Sequence, residues 1–117
     1  MVWMLRKKRD TGPVTVTSPA LTAGTVVVQR VGDLVSLDLE GAVFGDLAGT
    51  QTIEDILPLG YRATRWVPFS TVGVYGPVRH GRTLTAGSIQ LFGLQPGDVL
   101  RAHVMFFTAD QFPGVSS

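Results

Sequence analysis

The chain contains no cysteine, few charged residues and no long apolar run, and each absence excludes a class of protein. Without cysteine there can be no disulfide framework, no cysteine-ligated zinc site and no thiol catalysis. No segment approaches the roughly 20 apolar residues that a membrane-spanning helix needs, so we expect no membrane insertion. Charged residues make up 16% of the 117 residues, against about 25% in typical soluble domains, which suggests that partner subunits cover part of the surface.

The charge that is present is unevenly distributed along the chain. Four of the ten basic residues lie together at residues 6–9, and the remaining six arginines face nine acidic residues. We interpret the basic cluster as a solvated segment ahead of the fold, because a run this short would neutralise only a few phosphates. We therefore expect no nucleic-acid partner, and the alternative interpretation of this arm is a contact with nucleic acid or with an anionic surface.

Glycine and proline, 21 residues together, separate short runs of β-branched and aromatic residues. Short strands punctuated by turns are typical of all-β domains, and no long segment shows the 3.6-residue apolar repeat of a helix. The sequence predicts an antiparallel β-sandwich, jelly-roll-like, with roughly eight short strands and little helix. We expect an N-terminal arm or linker over residues 1–12, one β-sandwich domain over residues 13–110 and a C-terminal tail over residues 111–117.

Two hairpins are the clearest local predictions. The first covers residues 25–40, where Val35, Leu37 and Leu39 alternate with polar residues, as in a strand with one buried face. The second pairs residues 82–85 with residues 88–92. We also expect a bulge at residues 41–44, a long loop over residues 45–55, a short strand at residues 73–75 and a last strand over residues 99–108. A strand over residues 65–71 contains Pro68, which cannot donate a ladder hydrogen bond, so this strand should lie at a sheet edge or carry a bulge.

The last strand carries apolar side chains on both of its faces. Met105 and Phe107 alternate in phase with Arg101 and His103, on the side expected to face away from the core. Burying a large apolar side chain is worth roughly 1.5–3 kcal/mol, so either a loop or a neighbouring subunit should cover the pair. We favour a subunit, and we place Met105, Phe107 and His103 at a candidate subunit interface.

Catalytic and metal-binding patterns do not occur in the sequence. It contains no nucleophile elbow, glycine-rich phosphate loop or EF-hand spacing. Its two histidines, His80 and His103, are 23 residues apart and neither belongs to a metal-ligand motif. We expect no enzymatic activity, no metal and no cofactor.

Aromatic and arginine side chains cluster after residue 57, and they are the remaining candidates for a binding surface. Exposed aromatics beside arginine can stack on sugar rings or pack against a protein. Tyr61, Arg62, Trp66 and Tyr75 are therefore the candidate contacts for a surface glycan. The alternative is that Tyr61 and Trp66 anchor the core or an interface.

Tyr61 and Arg62 end a rigid corner at residues 57–62, with sequence Leu-Pro-Leu-Gly-Tyr-Arg, and Trp66 and Tyr75 follow it. Pro58 fixes its own φ and Gly60 can adopt a positive φ, so backbone chemistry specifies the turn. Together with Arg-Asp-Thr-Gly at residues 9–12 and Val-Gly-Asp-Leu-Val-Ser-Leu at residues 31–37, the corner resembles motifs in the C-terminal β-sandwich domains of minor tail and tail-fibre proteins from phages of actinobacteria. The chain departs from that pattern at Ala63, where those domains usually have proline, and it matches their glycine-rich hairpin only loosely.

The resemblance implies a trimeric or otherwise oligomeric virion component that displays loops to the host envelope, and it supplies no catalytic residues. We therefore expect a structural virion protein, a tail-tip or tail-fibre domain that forms a homo-oligomer, with a trimer favoured. Other virion proteins and a host cell-surface glycan are the expected partners. The alternatives are a capsid decoration or head-fibre protein, with residues 1–9 docking on a lattice, and a free-standing carbohydrate-binding module.

Overall fold

The computed structural model describes residues 9–72 and 77–113, and these residues form eight β-strands in two four-stranded antiparallel sheets. The described residues contain no helix, and so none that could cross a membrane. The predicted all-β class and strand number are confirmed. The strands are β1 (Val14–Val16), β2 (Ala23–Val31), β3 (Leu34–Val43), β4 (Gly49–Ile53), β5 (Pro68–Ser70), β6 (His80–Thr83), β7 (Ile89–Leu94) and β8 (Leu100–Phe107).

The first sheet has the strand order β1-β2-β3-β8 and contains the predicted hairpin. In this sheet Val28 pairs with Leu37, and Leu37 pairs with Val104. All three side chains are buried, because a period of two places every second residue on the inner face. The alternation predicted for residues 25–40 and for residues 99–108 is confirmed.

The second sheet has the order β4-β7-β6-β5. Its strands β5, β6 and β7 are consecutive neighbours, and β4 lies beside β7, which is a Greek-key arrangement. Pro68 begins β5 at the sheet edge, where its missing N–H costs no ladder hydrogen bond. The predicted second hairpin, formed by β6 and β7, is confirmed.

One hydrophobic core lies between the two sheets. It contains inward-facing side chains of the first sheet, such as Leu37 and Val104, together with Ile89 and Leu91 of the second. The molecule is therefore a two-sheet sandwich in which the chain crosses between sheets once after β3 and once after β7. The jelly-roll qualification stays a prediction.

The long loop predicted for residues 45–55 is wrong, because this segment contains β4. Ile53 is its one fully buried strand residue, and the flanking threonines and glutamine lack the apolar alternation that marks a half-buried strand. This segment becomes a strand because it pairs with β7, where Ile53 lies opposite Ile89, although its own residues show no strand pattern. The strand predicted for residues 65–71 is shorter than expected, and the one at residues 73–75 lies outside the described residues.

The folded domain extends beyond the predicted boundary at residue 13. The Gly32 N–H donates to the Arg9 carbonyl at 2.8 Å, and the Thr11 N–H donates to the Arg30 carbonyl at 2.9 Å. Asp10 forms a β-bridge with Val31. Residues 9–12 are thus part of the sheet edge, not of a linker.

Candidate functional site

The corner is held in place by two charged side chains from distant parts of the chain. Arg30 lies at an inward-facing position near the end of β2 and is 2% exposed. Its Nη1 donates to the carbonyl oxygens of Gly60 at 2.7 Å and Gln111 at 3.2 Å, and its Nε donates to the Gly32 carbonyl at 2.7 Å. The guanidinium also lies 5.0 Å from the ring centre of Phe112. One buried arginine therefore joins β2, the corner and the C-terminal segment.

Asp110 binds the other side of the corner. One carboxylate oxygen accepts the Gly60 N–H at 2.9 Å and the Arg62 N–H at 3.2 Å. The other oxygen accepts the Arg62 Nη2 at 2.8 Å. The hydrogen bonds from the Arg62 side chain, aided by the two backbone N–H groups, lower the pKa of Asp110 to about 2. The corner is thus clamped by Arg30 at a carbonyl and by Asp110 at two amides.

We expect the Asp110 contacts to make stability depend on acid pH. Because the pKa falls on folding from 3.8 to about 2, the ionised group stabilises the fold fully above pH 4 and loses that contribution as pH falls towards 2. Allowing for solvent screening, the loss should be about 1–2 kcal/mol. Urea unfolding of the wild type and Asp110→Asn at pH 5 and pH 2.5 measures it. Equal losses of stability on acidification in the two proteins would show that this carboxylate is not linked to folding.

The three motifs that carry the phage resemblance meet at this junction. Residues 9–12 pair beside Arg30, residues 31–37 form the turn and strand that follow it, and residues 57–62 accept its hydrogen bond through Gly60. Residues 111–113, assigned from sequence to a tail, pack here too, since a Cβ on Gly60 would lie 2.5 Å from Pro113 Cγ. The motifs thus build a structural junction.

The prediction that Tyr61 is a surface contact is wrong, because it is 5% exposed and belongs to the core. Gly60 has a φ of 101°, and the Tyr61 N–H donates to the Pro58 carbonyl at 2.9 Å, so a tight turn directs the ring inward. Arg62 is partly exposed but is engaged by Asp110. Tyr75 lies outside the described residues.

The outer face of the first sheet presents an apolar band, formed by Val31, Leu34, Met105 and Phe107. Val31, Leu34 and Phe107 lie directly opposite one another across β2, β3 and β8. Met105 is 50% exposed and Phe107 is 66% exposed, so no described loop covers either side chain. A groove of about 480 Å³ runs beside the band, between β8 and residues 64–67. A loop or a neighbouring subunit was expected to cover Met105 and Phe107. Within the described residues, no loop covers them.

His103 lies on the same outer face but makes a local contact with a neighbouring strand. Its Nδ1 contacts the Asp38 carboxylate on β3, its cross-strand partner. Farther along, Arg101 and Glu40 also lie opposite each other. The outer face of the first sheet is therefore apolar at one end and charged at the other, with His103 at the charged end.

The outer face of the second sheet presents an aromatic face, formed by Trp66, Arg82 and Phe92. The Arg82 guanidinium carbon lies 4.0 Å from the centre of the Trp66 ring and 5.5 Å from that of Phe92. The Arg82 Nε donates to Gln90 Oε1 at 2.8 Å, which orients the guanidinium. Trp66 is nevertheless 56% exposed, so it does not anchor the core and is available as the surface contact that was one of its two predicted roles.

A shallow depression of about 420 Å³ adjoins the aromatic face. Its walls include Arg82 and Phe92, and its polar rim is formed by Ser70 and His80, which are hydrogen-bonded at 3.0 Å. Within residues 9–72 and 77–113, no three histidine or acidic side chains converge as a metal site would require. The side chains of this face can stack on a ring and can form hydrogen bonds.

Arg30, Asp110, Arg82 and Phe92 are not among the candidate residues predicted from the sequence. The sequence does contain an indication for Arg30, because it lies on the same face of its strand as the buried Val26 and Val28. An arginine buried at such a position needs hydrogen-bond acceptors inside the protein. The roles of the other three depend on which distant segments of the chain come into contact on folding.

Comparison with known proteins identifies no relative of this chain. No protein-family model, curated protein or solved structure matches it.

Proposed function

We propose that the chain is a structural virion domain of a phage tail tip or tail fibre, which forms a homo-oligomer, with a trimer favoured, and contacts the host cell surface. Individually weak contacts would then be summed over subunits held at high effective concentration. The phage assignment rests on the sequence motifs at residues 9–12, 31–37 and 57–62. Their convergence on one structural junction supports reading them as architectural features of such a domain.

The observation that carries the proposal is the exposed apolar band. Two large side chains, Met105 and Phe107, stand at least half exposed beside Leu34 and a groove. Burying them would recover roughly 1.5–3 kcal/mol each, and contiguous apolar patches of this kind mark interaction sites. A second copy of the chain is the occupant that the low charge content and the resemblance both favour.

We expect the protein to sediment as an oligomer at micromolar concentration, and the double variant Met105→Ser/Phe107→Ser to sediment as a monomer. Both side chains point outward, so the substitutions should leave the sandwich folded. Sedimentation velocity over a range of concentrations measures the change. Loss of two buried apolar anchors should weaken association by at least about 100-fold.

Leu59→Ser is the matched control, because Leu59 is more exposed than either residue and lies outside the apolar band. It should leave the oligomer intact. A wild-type protein that remains monomeric throughout the concentration range, or a control that dissociates as readily as the double variant, refutes this interface.

A free-standing carbohydrate-binding module is the second candidate function, and the aromatic face is the observation that favours it. A module of that kind needs no self-association, whereas a tail component does. A monomer that binds glycan through Trp66 would therefore select this second candidate over the virion protein.

A further inference from the structure

We propose that the aromatic face and its adjoining depression form a binding site for an anionic saccharide, a sugar ring that carries a carboxylate or a phosphate. Of the candidate glycan contacts named from the sequence, only Trp66 belongs to this site, and the corner at residues 57–62 lies outside it. This inference rests on the proposed contact with the host surface, and it names the ligand class and the residues that recognise it.

Trp66 supplies a stacking surface for the ring. One face of the indole is covered by the Arg82 guanidinium, yet more than half of the side chain stays exposed. An exposed tryptophan backed by a cation is a rigid, amphipathic platform, and the C–H groups on one face of a pyranose ring pack well against such a surface. The open part of Trp66 is therefore available to a sugar.

Arg82 supplies the charge that selects an anion. Among the described residues its one hydrogen bond is made through Nε, to Gln90, which leaves the two Nη groups to donate to a ligand. Strands β4 to β7 contain no aspartate or glutamate, so no carboxylate on this sheet neutralises it. A planar guanidinium is suited to bidentate binding of a carboxylate or phosphate.

Polar groups around the depression can hydrogen-bond the hydroxyls of a sugar. His80 and Ser70 form one side of it, and Gln90 lies beside Arg82 on the neighbouring strand. A volume of about 420 Å³ falls within the ~300–1,000 Å³ of small-molecule pockets. A ring platform, one cation without a carboxylate partner among the described residues, and polar side chains favour a saccharide over an acidic peptide, which would need an extended cationic groove.

Calorimetric titration with one β-1,4-linked glucose tetrasaccharide in three forms tests the site: neutral, oxidised to the carboxylate at C6, and phosphorylated at C6. One or both charged forms should bind about 10-fold more tightly than the neutral form, because a charge-assisted pair adds to stacking. The better of the two identifies the anion. Equal binding of all three forms overturns the anionic assignment.

Variants of the aromatic face complete the test. Trp66→Ala should weaken the charged forms by about 10-fold or more, and Arg82→Gln should remove the preference for charge. Arg101→Gln, an exposed arginine on the other sheet, should change nothing. Circular dichroism checks that each variant is folded. If Arg82→Gln does not fold, Arg82→Lys, which keeps the positive charge, takes its place.

The outcomes separate this inference from the proposed function. An oligomer that binds no form of the tetrasaccharide, or binds it equally after Trp66→Ala and Arg82→Gln, overturns the saccharide site and leaves the assembly intact. If the tetrasaccharides fail to bind in the predicted way but an acidic peptide binds, the aromatic face is reassigned to a protein partner. That outcome also overturns the saccharide site. A monomer that binds as predicted supports the site and contradicts the assembly.

Discussion

Replacing Arg30 with methionine is expected to lower the free energy of unfolding by about 3–5 kcal/mol, a large share of the ~5–15 kcal/mol of a typical domain. Methionine can fill the space left by the apolar part of arginine but cannot donate hydrogen bonds. The carbonyls of Gly32, Gly60 and Gln111 would each lose a donor in a buried or half-buried place. An acceptor left without a partner costs about 1–3 kcal/mol, so the three losses together exceed any gain from added apolar burial.

Urea unfolding measures this change, and Arg101→Met is its matched control. Arg101 lies on an exposed position of β8, and its substitution should alter stability by no more than about 0.5 kcal/mol. If Arg30→Met unfolds within 1 kcal/mol of the wild type, Arg30 does not hold the corner.

Gly24→Ala is expected to cost about 3–5 kcal/mol, whereas Gly49→Ala should cost about 1–2 kcal/mol. Both glycines begin or adjoin a register shift in a strand, and their φ angles are nearly equal, at 73° and 77°. A Cβ at Gly24 would lie 2.0 Å from the Gly41 carbonyl oxygen, while a Cβ at Gly49 meets no atom within 4 Å. An alanine at either position would therefore have similar backbone strain. Only at Gly24 would its Cβ also clash with the main chain of a neighbouring strand.

Denaturant unfolding of the two alanine variants side by side measures the difference. Equal destabilisation would mean that the approach of Gly24 to Gly41 is not a constraint on the fold. The comparison also tests the bulge at residues 41–44, which the sequence analysis predicted and the register shift after Glu40 confirms.

The parts of the fold that were predictable are those where local chemistry agrees with the final structure. The alternation of Val35, Leu37 and Leu39 and the Gly32-Asp33 turn define β3 and its hairpin without reference to distant residues. Likewise, the missing N–H of Pro68 limits its strand to a sheet edge or a bulge, and the structure places it at the edge. β4 was not predictable, because its residues become a strand only through pairing with β7.

The residues of the candidate site also divide into those that the sequence predicts and those that it does not. The exposure of Met105 and Phe107 follows from their phase on β8, whereas Trp66 lies outside any strand and its exposure did not follow from the sequence. Burial of Tyr61 depends on the direction of the turn at Gly60, and the stacking of Arg82 on Trp66 depends on the packing of β6 against the segment that precedes β5. Neither is encoded by spacing along the chain.

The central claim is that the apolar band is buried between subunits while the aromatic face stays open. Hydroxyl-radical footprinting with mass spectrometry tests it most directly, because methionine, phenylalanine and tryptophan all react readily when exposed. Footprinting compares a dilute sample with one concentrated enough for the oligomer to form. Between the two, oxidation of Met105 and Phe107 should fall several-fold, while oxidation of Trp66 stays constant. Unchanged oxidation of Met105 and Phe107 in the oligomer, or protection of Trp66 in their place, would contradict the claim.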